Sequence, residues 1–408
     1  MRVCFLSRRV FPTVSGMSVY ALNLLRQLAA QGHDVVLLGQ HYGGAAATVY
    51  GDGPPDEIPG VETVAMESTG EQTTGDFEAD IEALVRMVVA RHVEAPFDVL
   101  HAQYGYPTGL AALEAARRTG VPCVVSIQGG DGHWVGECCG THRRAMVSVL
   151  AHAGAVLIGS DSFARAVSAR LGTPMERFTV VPGAVDTDLF APGGRAVGAL
   201  SDPPVLLYHG RIDRRKGVLD LLDALALLRD AGRDVRLVVS GIGPDVAAVA
   251  ERVADLGLGD RVETLGQAGY DEAPGRYARG DVFVSPTYAE GFSNTILEAM
   301  ASGLPVVSCT VVGVVDCLAD ERDALLVPPA DPGALAAAIE RMLADAGLRT
   351  RLATTALAEA RTLYDWRRRA EQIAGVYERL RGTAPDAAFA PDTRPPNPCV
   401  YRATPQLL

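Results

Sequence analysis

Two glutamates, Glu290 and Glu298, stand with seven residues between them in the stretch DVFVSPTYAEGFSNTILEAMASGLPVVSC, residues 281–309. Carboxylates so placed can accept hydrogen bonds from hydroxyl groups on a ligand. Between them lie Gly291, Phe292, Ser293, Asn294 and Thr295. Gly291 and the small residues after it leave room for a ligand to approach the backbone, and Asn294 or Thr295 can cap a helix. The first turn of that helix offers unsatisfied N–H groups to an anion. Upstream, HGRIDRRKGV carries Arg211 and Lys216 just before a Leu- and Ala-rich helical run. Arginine grips phosphate oxygens in pairs, and lysine supplies a compact mobile charge. Lys216 is the only lysine in a chain otherwise rich in arginine. A phosphate held at a helix start, beside two hydroxyl-binding carboxylates, is the chemistry of a nucleotide-sugar site.

The elements that must position these groups alternate strand and helix. Val282–Val284 is a short apolar strand ended by Ser285–Pro286–Thr287, and Gly303–Leu304–Pro305 closes the helix that carries Glu298. At the start of the chain, Arg2–Leu6 reads as a strand, Gly16 to Ala30 as a helix stopped by Gly32, and Asp34–Leu38 as the next strand. This is the βαβ grammar of an open, mostly parallel sheet. Gly16 falls where the loop after the first strand meets a ligand at the carboxyl edge of such a sheet. The strand Val121–Ile127 runs into Gln128, Gly129 and Gly130. Later, Arg236–Ser240 is followed by Gly241-Ile242-Gly243-Pro244, and Arg261–Leu265 ends at Gly266. The expected organisation is a first α/β domain over 1–185, a linker over 186–204, a second α/β domain over 205–363, a helix over 364–381, and a poorly ordered Pro- and Ala-rich tail over 382–408. Residues 41–76, rich in Gly, Pro, Thr and acids, are expected to be a solvated surface excursion.

The motif EGFSNTILEAMASGLPVV closely resembles the signature of the retaining glycosyltransferases of group 4, which use activated sugar donors. HGRIDRRKG resembles their GR…KG diphosphate clamp, and Gly241-Ile242-Gly243-Pro244 their turn near the donor phosphates. The resemblance implies the GT-B architecture, two Rossmann-like domains facing an interdomain cleft, with the helix over 364–381 returning to the first domain. It implies transfer of a sugar from a nucleoside-diphosphate sugar, a cosubstrate, to a hydroxyl-bearing acceptor, with retention and without a metal or a cofactor. Arg211, Lys216 and Glu290 take the catalytic roles. Lys216 binds the diphosphate and Glu290 orients the donor sugar, while Glu298 holds the ribose. Gly16, Gln128, Gly241, Gly243, Gly266, Gly291, Phe292, Ser293, Asn294 and Thr295 fall on the donor side, and Tyr104 and His133 are candidates on the acceptor side. The chain departs from the pattern in places. Ser15-Gly16 stands for two glycines, Gln128 for a histidine, and Val312-Gly313-Val314-Val315-Asp316 for a glycine-rich loop with Pro-Glu. Glutamine can hydrogen-bond a sugar hydroxyl but cannot transfer a proton near neutral pH. The rivals are a nucleotide-sugar 2-epimerase, which shares the phosphate site but needs no acceptor, and a noncatalytic nucleotide-sugar-binding protein.

Composition narrows the partners. A formal charge of −12 argues against nonspecific nucleic-acid binding. No apolar run reaches membrane length, so the expectation is a cytoplasmic protein, with peripheral membrane contact allowed. The acceptor is a small molecule, a glycan or a lipid-linked group, in glycan or glycoconjugate biosynthesis. Seven cysteines without regular spacing suggest free thiols in a reducing compartment. Cys138, Cys139, His142 and His133 raise the question of zinc. Adjacent cysteines are not the usual ligand pair and no second pair lies nearby in sequence, so the expectation is no metal and a loop lid over the cleft.

Overall fold

The computed structural model describes residues 1–41, 53–70 and 75–404. The chain forms two compact units, one of Met1–Pro182 with Trp366–Leu408 and the other of Gly183–Asp365.

The first unit is built on seven strands: β1 (Arg2–Ser7), β2 (Asp34–His41), β3 (Val61–Glu67), β4 (Val99–Gln103), β5 (Cys123–Ile127), β6 (Ala155–Ile158) and β7 (Phe178–Val180). They pair in parallel in the order β3-β2-β1-β4-β5-β6-β7. Val3, Cys4, Phe5 and Leu6 of β1 are fully buried, as a parallel strand covered on both faces requires. The winding reverses between β1 and β4, so the loops after these two strands diverge and leave a crevice at their carboxyl ends. Those loops carry Gly16 and Tyr104. The helix Gly16–Ala30 starts as expected, with Ser15 as its cap: the Ser15 hydroxyl accepts from Ser18 N at 3.3 Å. Gly32, at φ +83°, ends it.

The expected excursion over 41–76 is corrected in part. Val61–Glu67 is an edge strand, in register with Val35–His41, and only Met66 of it is buried. A polar edge strand carries a weak apolar alternation, and the Pro- and Gly-rich flanks hid it. Residues 42–52 and 71–74 of that stretch lie outside the described residues.

The helix Trp366–Leu380 packs against the first unit. Tyr377 hydrogen-bonds His101 Nδ1, and Trp366 stands edge-on to Tyr20 at 5.3 Å. The expectation of a poorly ordered tail is also corrected. Up to Thr404 the tail is tied to the helix Gly140–His152: His152 Nδ1 meets Asp386 Oδ2 at 2.8 Å, Arg144 Nε meets Asp392 Oδ2 at 2.6 Å, and Asn397 N donates to Thr141 Oγ1 at 2.7 Å. Phe389 is buried beside His152. Composition spoke for disorder because it does not register such contacts across more than two hundred residues of chain.

The second unit holds six parallel strands: β8 (Val205–His209), β9 (Arg236–Ser240), β10 (Val262–Gly266), β11 (Val282–Ser285), β12 (Val306–Cys309) and β13 (Leu325–Val327). Their order is β10-β9-β8-β11-β12-β13, so the winding reverses between β8 and β11. Leu206, Leu221, Leu225, Leu237, Val284, Ile339 and Leu352 belong to a buried core made by the strands and the helices covering them. The stretch expected as a linker, 186–204, is part of this unit. Asp281, 1% exposed, accepts from Ser201 N at 3.0 Å and Val205 N at 2.7 Å, and also pairs with Arg195. Arg349 reaches the Gly198 carbonyl at 2.6 Å.

Candidate active site

In a parallel sheet a ligand binds outside the carboxyl ends of the strands where the winding reverses. In the second unit these ends are the segments after β8 and after β11. The first delivers Arg211 and Lys216, and the second delivers Glu290.

The segment after β8 is held by its neighbours' backbone. Gly210 N donates to Ser240 O at 2.9 Å, Ile212 N to Ile242 O at 2.8 Å, and Gly241 N to Gly266 O at 2.9 Å. A β-carbon at Gly241, where φ is +141°, would stand 1.8 Å from the Gly210 carbonyl oxygen. One at Gly243 would stand 2.1 Å from that of Ile212. No side chain fits either position, so glycine is required for the three turns after β8, β9 and β10 to lie against one another. Arg214 fastens the same turns, donating to Asp245 at 2.6 to 2.9 Å.

Two further carboxylates, Asp213 and Glu290, set the other cations of this segment. Asp213 stands 3.3 Å from Arg211 Nε and accepts from Arg215 N and Nε at 2.9 Å each. Burial pushes the Asp213 carboxyl up, but its hydrogen bonds to Arg215 and the charges of Arg211 and Arg215 outweigh that and hold it at about 2. It therefore stays ionised and orients both arginines. Lys216 closes a single 3-10 turn before Gly217, whose φ of +68° reverses the chain into the helix Val218–Asp230. Lys216 Nζ meets Glu290 Oε1 at 2.8 Å and donates to Ala289 O at 3.3 Å. The cation and the carboxylate expected to act on phosphate and sugar are thus neighbours.

Glu290 is fixed by its backbone. Its N–H donates to Val312 O at 3.0 Å, and Gly313, at φ +80°, lies so close that a β-carbon there would stand 2.3 Å from Glu290 O. The one glycine kept in the variant loop after β12 is the one this approach needs. The helix Asn294–Ala301 follows, with Ser293 as a cap that makes no side-chain bond to the helix backbone; its hydroxyl is 3.3 Å from that of Thr295. Thr295 Cγ2 would be 3.7 Å from a β-carbon at Gly210, so the helix start faces the turn after β8. Phe292 packs instead against Tyr364, at 5.6 Å between ring centroids, and against Gly183. Gly291 is buried.

Glu298 is 4% exposed, and its Oε2 accepts from Tyr277 OH at 2.6 Å. Burial pushes its carboxyl up to about 7, against the opposing effect of the Tyr277 bond. The same hydroxyl reaches Thr295 O at 3.2 Å, and the Tyr277 ring stands edge-on to His209 at 5.1 Å. His209, held neutral at about 4 by burial, bonds Ser240 Oγ through Nδ1 at 3.0 Å. Tyr277, His209 and Asp213 are the residues that sequence reading passed over. Only Asp213 left a trace, as the acid inside the basic run GRIDRRKG.

The first unit carries the remaining candidates. Asp131, fully buried, gathers its loops: its carboxylate accepts from Gln128 N at 3.0 Å, Gly129 N at 2.9 Å and Gly105 N at 2.7 Å. Burial lifts its carboxyl to about 6, and these backbone bonds pull it back. Gln128 turns its side chain to the Tyr20 hydroxyl. Tyr104 adopts φ +86° and is buried, and its hydroxyl lies where a β-carbon on Gly130 would be 2.3 Å away. His133 packs its ring on Phe163 at 4.5 Å and on Trp134 at 5.6 Å. Gly16 opens the first helix, where Ser15 satisfies Ser18 N.

Two parallel α/β sheets, each with its loops of interest at the point where the winding reverses, define the GT-B fold class. Residues 15–184 match the glycosyl transferase 4-like domain and residues 203–345 match the glycosyl transferases group 1 family. The chain belongs to this glycosyltransferase family. It is 30% identical over 394 residues to a D-inositol 3-phosphate glycosyltransferase of Stackebrandtia nassauensis, covering 89% of this chain and 86% of that one. The protein of the same description from Frankia alni is 31% identical over 368 residues, 85% of this chain and 90% of that one. Among solved structures, the sucrose-phosphate synthase of Thermosynechococcus elongatus superposes with a TM-score of 0.78 at 25% identity, over 93% of this chain and 98% of that one.

Proposed function

We propose that this glycosyltransferase takes a nucleoside-diphosphate sugar as donor and transfers the glycosyl group with retention to a hydroxyl-bearing acceptor. The observation that carries the reading is the meeting of Lys216 with Glu290, beside the Arg211 turn and the start of the helix Asn294–Ala301. The cations and helix N–H groups suit a diphosphate, whose negative charge grows as the anomeric C–O bond to phosphate breaks. Glu290 suits the hydroxyls of the donor sugar, and the buried Glu298 with Tyr277 suits the ribose.

Retention by double displacement would need a carboxylate attacking the anomeric carbon. Glu290, engaged with Lys216, is a poor candidate for that role. The reading is therefore a same-face substitution. The bond from the anomeric carbon to the diphosphate oxygen breaks, the bond to the acceptor oxygen forms on the same face, and the acceptor proton passes to the departing phosphate. Arg211, Lys216 and the helix start supply the positive charge, so the reaction is read as independent of a metal. The curated relatives are named for D-inositol 3-phosphate, which makes a phosphorylated polyol the first acceptor to try. No helix among the described residues is long and apolar enough to cross a membrane. A cytoplasmic site of action, with peripheral membrane contact for a lipid-linked acceptor, completes the reading.

The test is incubation with a panel of nucleotide sugars, with and without D-inositol 3-phosphate, simple sugars, glycans and lipid-linked acceptors. Acceptor-dependent release of nucleoside diphosphate is expected, with a product whose anomeric proton coupling matches that of the donor. Isomerised donor without an acceptor would assign an epimerase, and binding without turnover across the panel a sensor. An inverted product would overturn retention. Activity lost in EDTA and restored by Mg²⁺ or Mn²⁺ would overturn metal independence.

A further inference from the structure

The loop after β5 and the C-terminal tail bring four soft ligands together. Sγ of Cys138, Cys139 and Cys399 and a ring nitrogen of His142 all lie within 4.8 Å of one another. The sequence separates Cys399 from the others by more than 250 residues, which is why no second cysteine was available to a reading by spacing. His142 Nδ1 stands 2.9 Å from Cys138 Sγ and 3.7 Å from Cys399 Sγ, so this nitrogen points among the sulfurs. Its ring is fully buried and wedged against Tyr106 at 4.5 Å and Phe77 at 5.6 Å, which fixes its direction. Cys139 Sγ caps the helix Gly140–His152 by accepting from His142 N at 3.4 Å. Serine, threonine, aspartate and asparagine are the residues ordinarily chosen for that cap. All seven cysteines of the chain are free thiols.

Tetrahedral zinc, with bonds of about 2.3 Å to sulfur and about 2.0 Å to nitrogen, sets its ligand atoms roughly 3.5–3.8 Å apart. A group whose longest separation is 4.8 Å reaches that spacing by small rotations of half-buried cysteine side chains. The geometry points to a structural Zn²⁺ site of three thiolates and one imidazole that clasps the C-terminal tail to the first unit.

Binding would release three thiol protons, including the one Cys138 donates to Val135 O, and leave a centre of charge −1. Arg402 and Arg8 stand near enough to His142 to act on it electrostatically, and so would offset that charge. Four protein ligands leave no open position, so the role is structural. The tail is already led to the site by its contacts at Asp386, Asp392 and Asn397. Beyond it, Arg402 donates to Glu78 Oε2 at 2.8 Å and to Gly75 O at 3.2 Å. The metal would lock the middle of this strap.

The experiment uses the full chain, purified without chelator and under reducing conditions. Elemental analysis should find about one zinc per chain. Co²⁺ added to the demetallated, fully reduced protein should give a sulfur-to-cobalt charge-transfer band and the intense visible bands of a tetrahedral site. Cys399→Ser should weaken Co²⁺ binding at least roughly a hundredfold, since loss of mere supporting groups costs ten- to a hundredfold. It should also speed tryptic cleavage after Arg402, which precedes Ala403 just beyond the clasp. Cys139→Ser keeps a helix-capping hydroxyl while removing a sulfur, so it reports metal loss without loss of the helix. Fully reduced, folded protein that gives no charge-transfer band with Co²⁺ overturns the proposal. So does a band unchanged in Cys399→Ser, or a disulfide among these cysteines in protein taken from its native host.

Discussion

Lys216 Nζ and Glu290 Oε1 are 2.8 Å apart, so the residue suited to diphosphate and the residue suited to sugar neutralise each other before any ligand arrives. On the proposed reading, a donor inserts its phosphate where the ammonium already has a partner. The two residues are therefore coupled, and mutating them singly will not report two independent contacts. Lys216→Ala should weaken both nucleotide sugar and free nucleoside diphosphate by roughly ten- to a hundredfold, the value of a charged hydrogen bond. Glu290→Gln should lower kcat/KM for transfer. It should tighten free diphosphate by roughly two- to fivefold, because a partly exposed ion pair worth up to about 1 kcal/mol no longer competes. Calorimetry on the two single variants and the double variant checks this. Additive effects on diphosphate binding would show that the pair does not hold in solution.

Glu298 should make stability fall with pH. Its carboxyl is raised to about 7 in the folded chain, above its value of 4.5 when unfolded. The protonated form is thus favoured by folding, and its contribution is fully present below about pH 4.5 and lost as pH rises through about 7. Glu298→Gln should flatten that segment of the stability curve. Tyr277→Phe removes the bond that favours the carboxylate and should push the titration higher still. Carboxyl NMR of wild type and Tyr277→Phe measures it, and a titration that moves down in Tyr277→Phe would refute this assignment.

Two histidines, His101 buried and His209 half-buried, should act with the opposite sign. Burial holds His101 at about 3 and His209 at about 4, both below the ordinary 6.5. Their neutral forms are needed by the fold, so their contribution is full above about pH 6.5 and is lost as pH falls toward the folded values. Each should cost up to about 2 kcal/mol between pH 6.5 and pH 5. Urea midpoints near pH 7 and pH 5 for wild type and His101→Gln would show it. Equal acid losses in both proteins would count against His101.

Gly241→Ala should damage the turns without touching a charged group. The new methyl would sit 1.8 Å from the Gly210 carbonyl oxygen at a φ of +141°. The backbone must move, at roughly 1–3 kcal/mol or more. Donor binding should fall together with the denaturant midpoint of the second unit. Gly259→Ala, with nothing within 4 Å of its added carbon, serves as the control.

Gln128→Ala should slow transfer while adding or removing no ionisation in the rate profile, because an amide cannot carry the proton. Its side chain meets the Tyr20 hydroxyl, so some loss of stability should accompany the change. Unchanged steady-state constants would place Gln128 outside the site.

The sequence carried much of this because the informative features were backbone features. Gly241, Gly243 and Gly313 mark close approaches that leave no alternative residue, and the βαβ rhythm placed Arg211 and Glu290 at the strand ends. What stayed hidden was long-range pairing. Tyr277 looks like an ordinary aromatic of a short helix until it meets Glu298. Asp131 is one acid among many until three backbone N–H groups converge on it. Strand Val61–Glu67 was lost among turn residues, and Cys399 seemed to belong to a formless tail.

The first unit is assembled from both ends of the chain, with Gly183–Asp365 spliced into its middle. Its sheet is made first, yet Tyr377, one partner of His101, and the residues that strap the helix Gly140–His152 are made only after the whole of Gly183–Asp365. Domains that fold as they emerge ordinarily close in order of synthesis. Here the unit begun first must wait, part-finished, while Gly183–Asp365 can close ahead of it, and a chain broken off before Trp366 would wound the unit begun first.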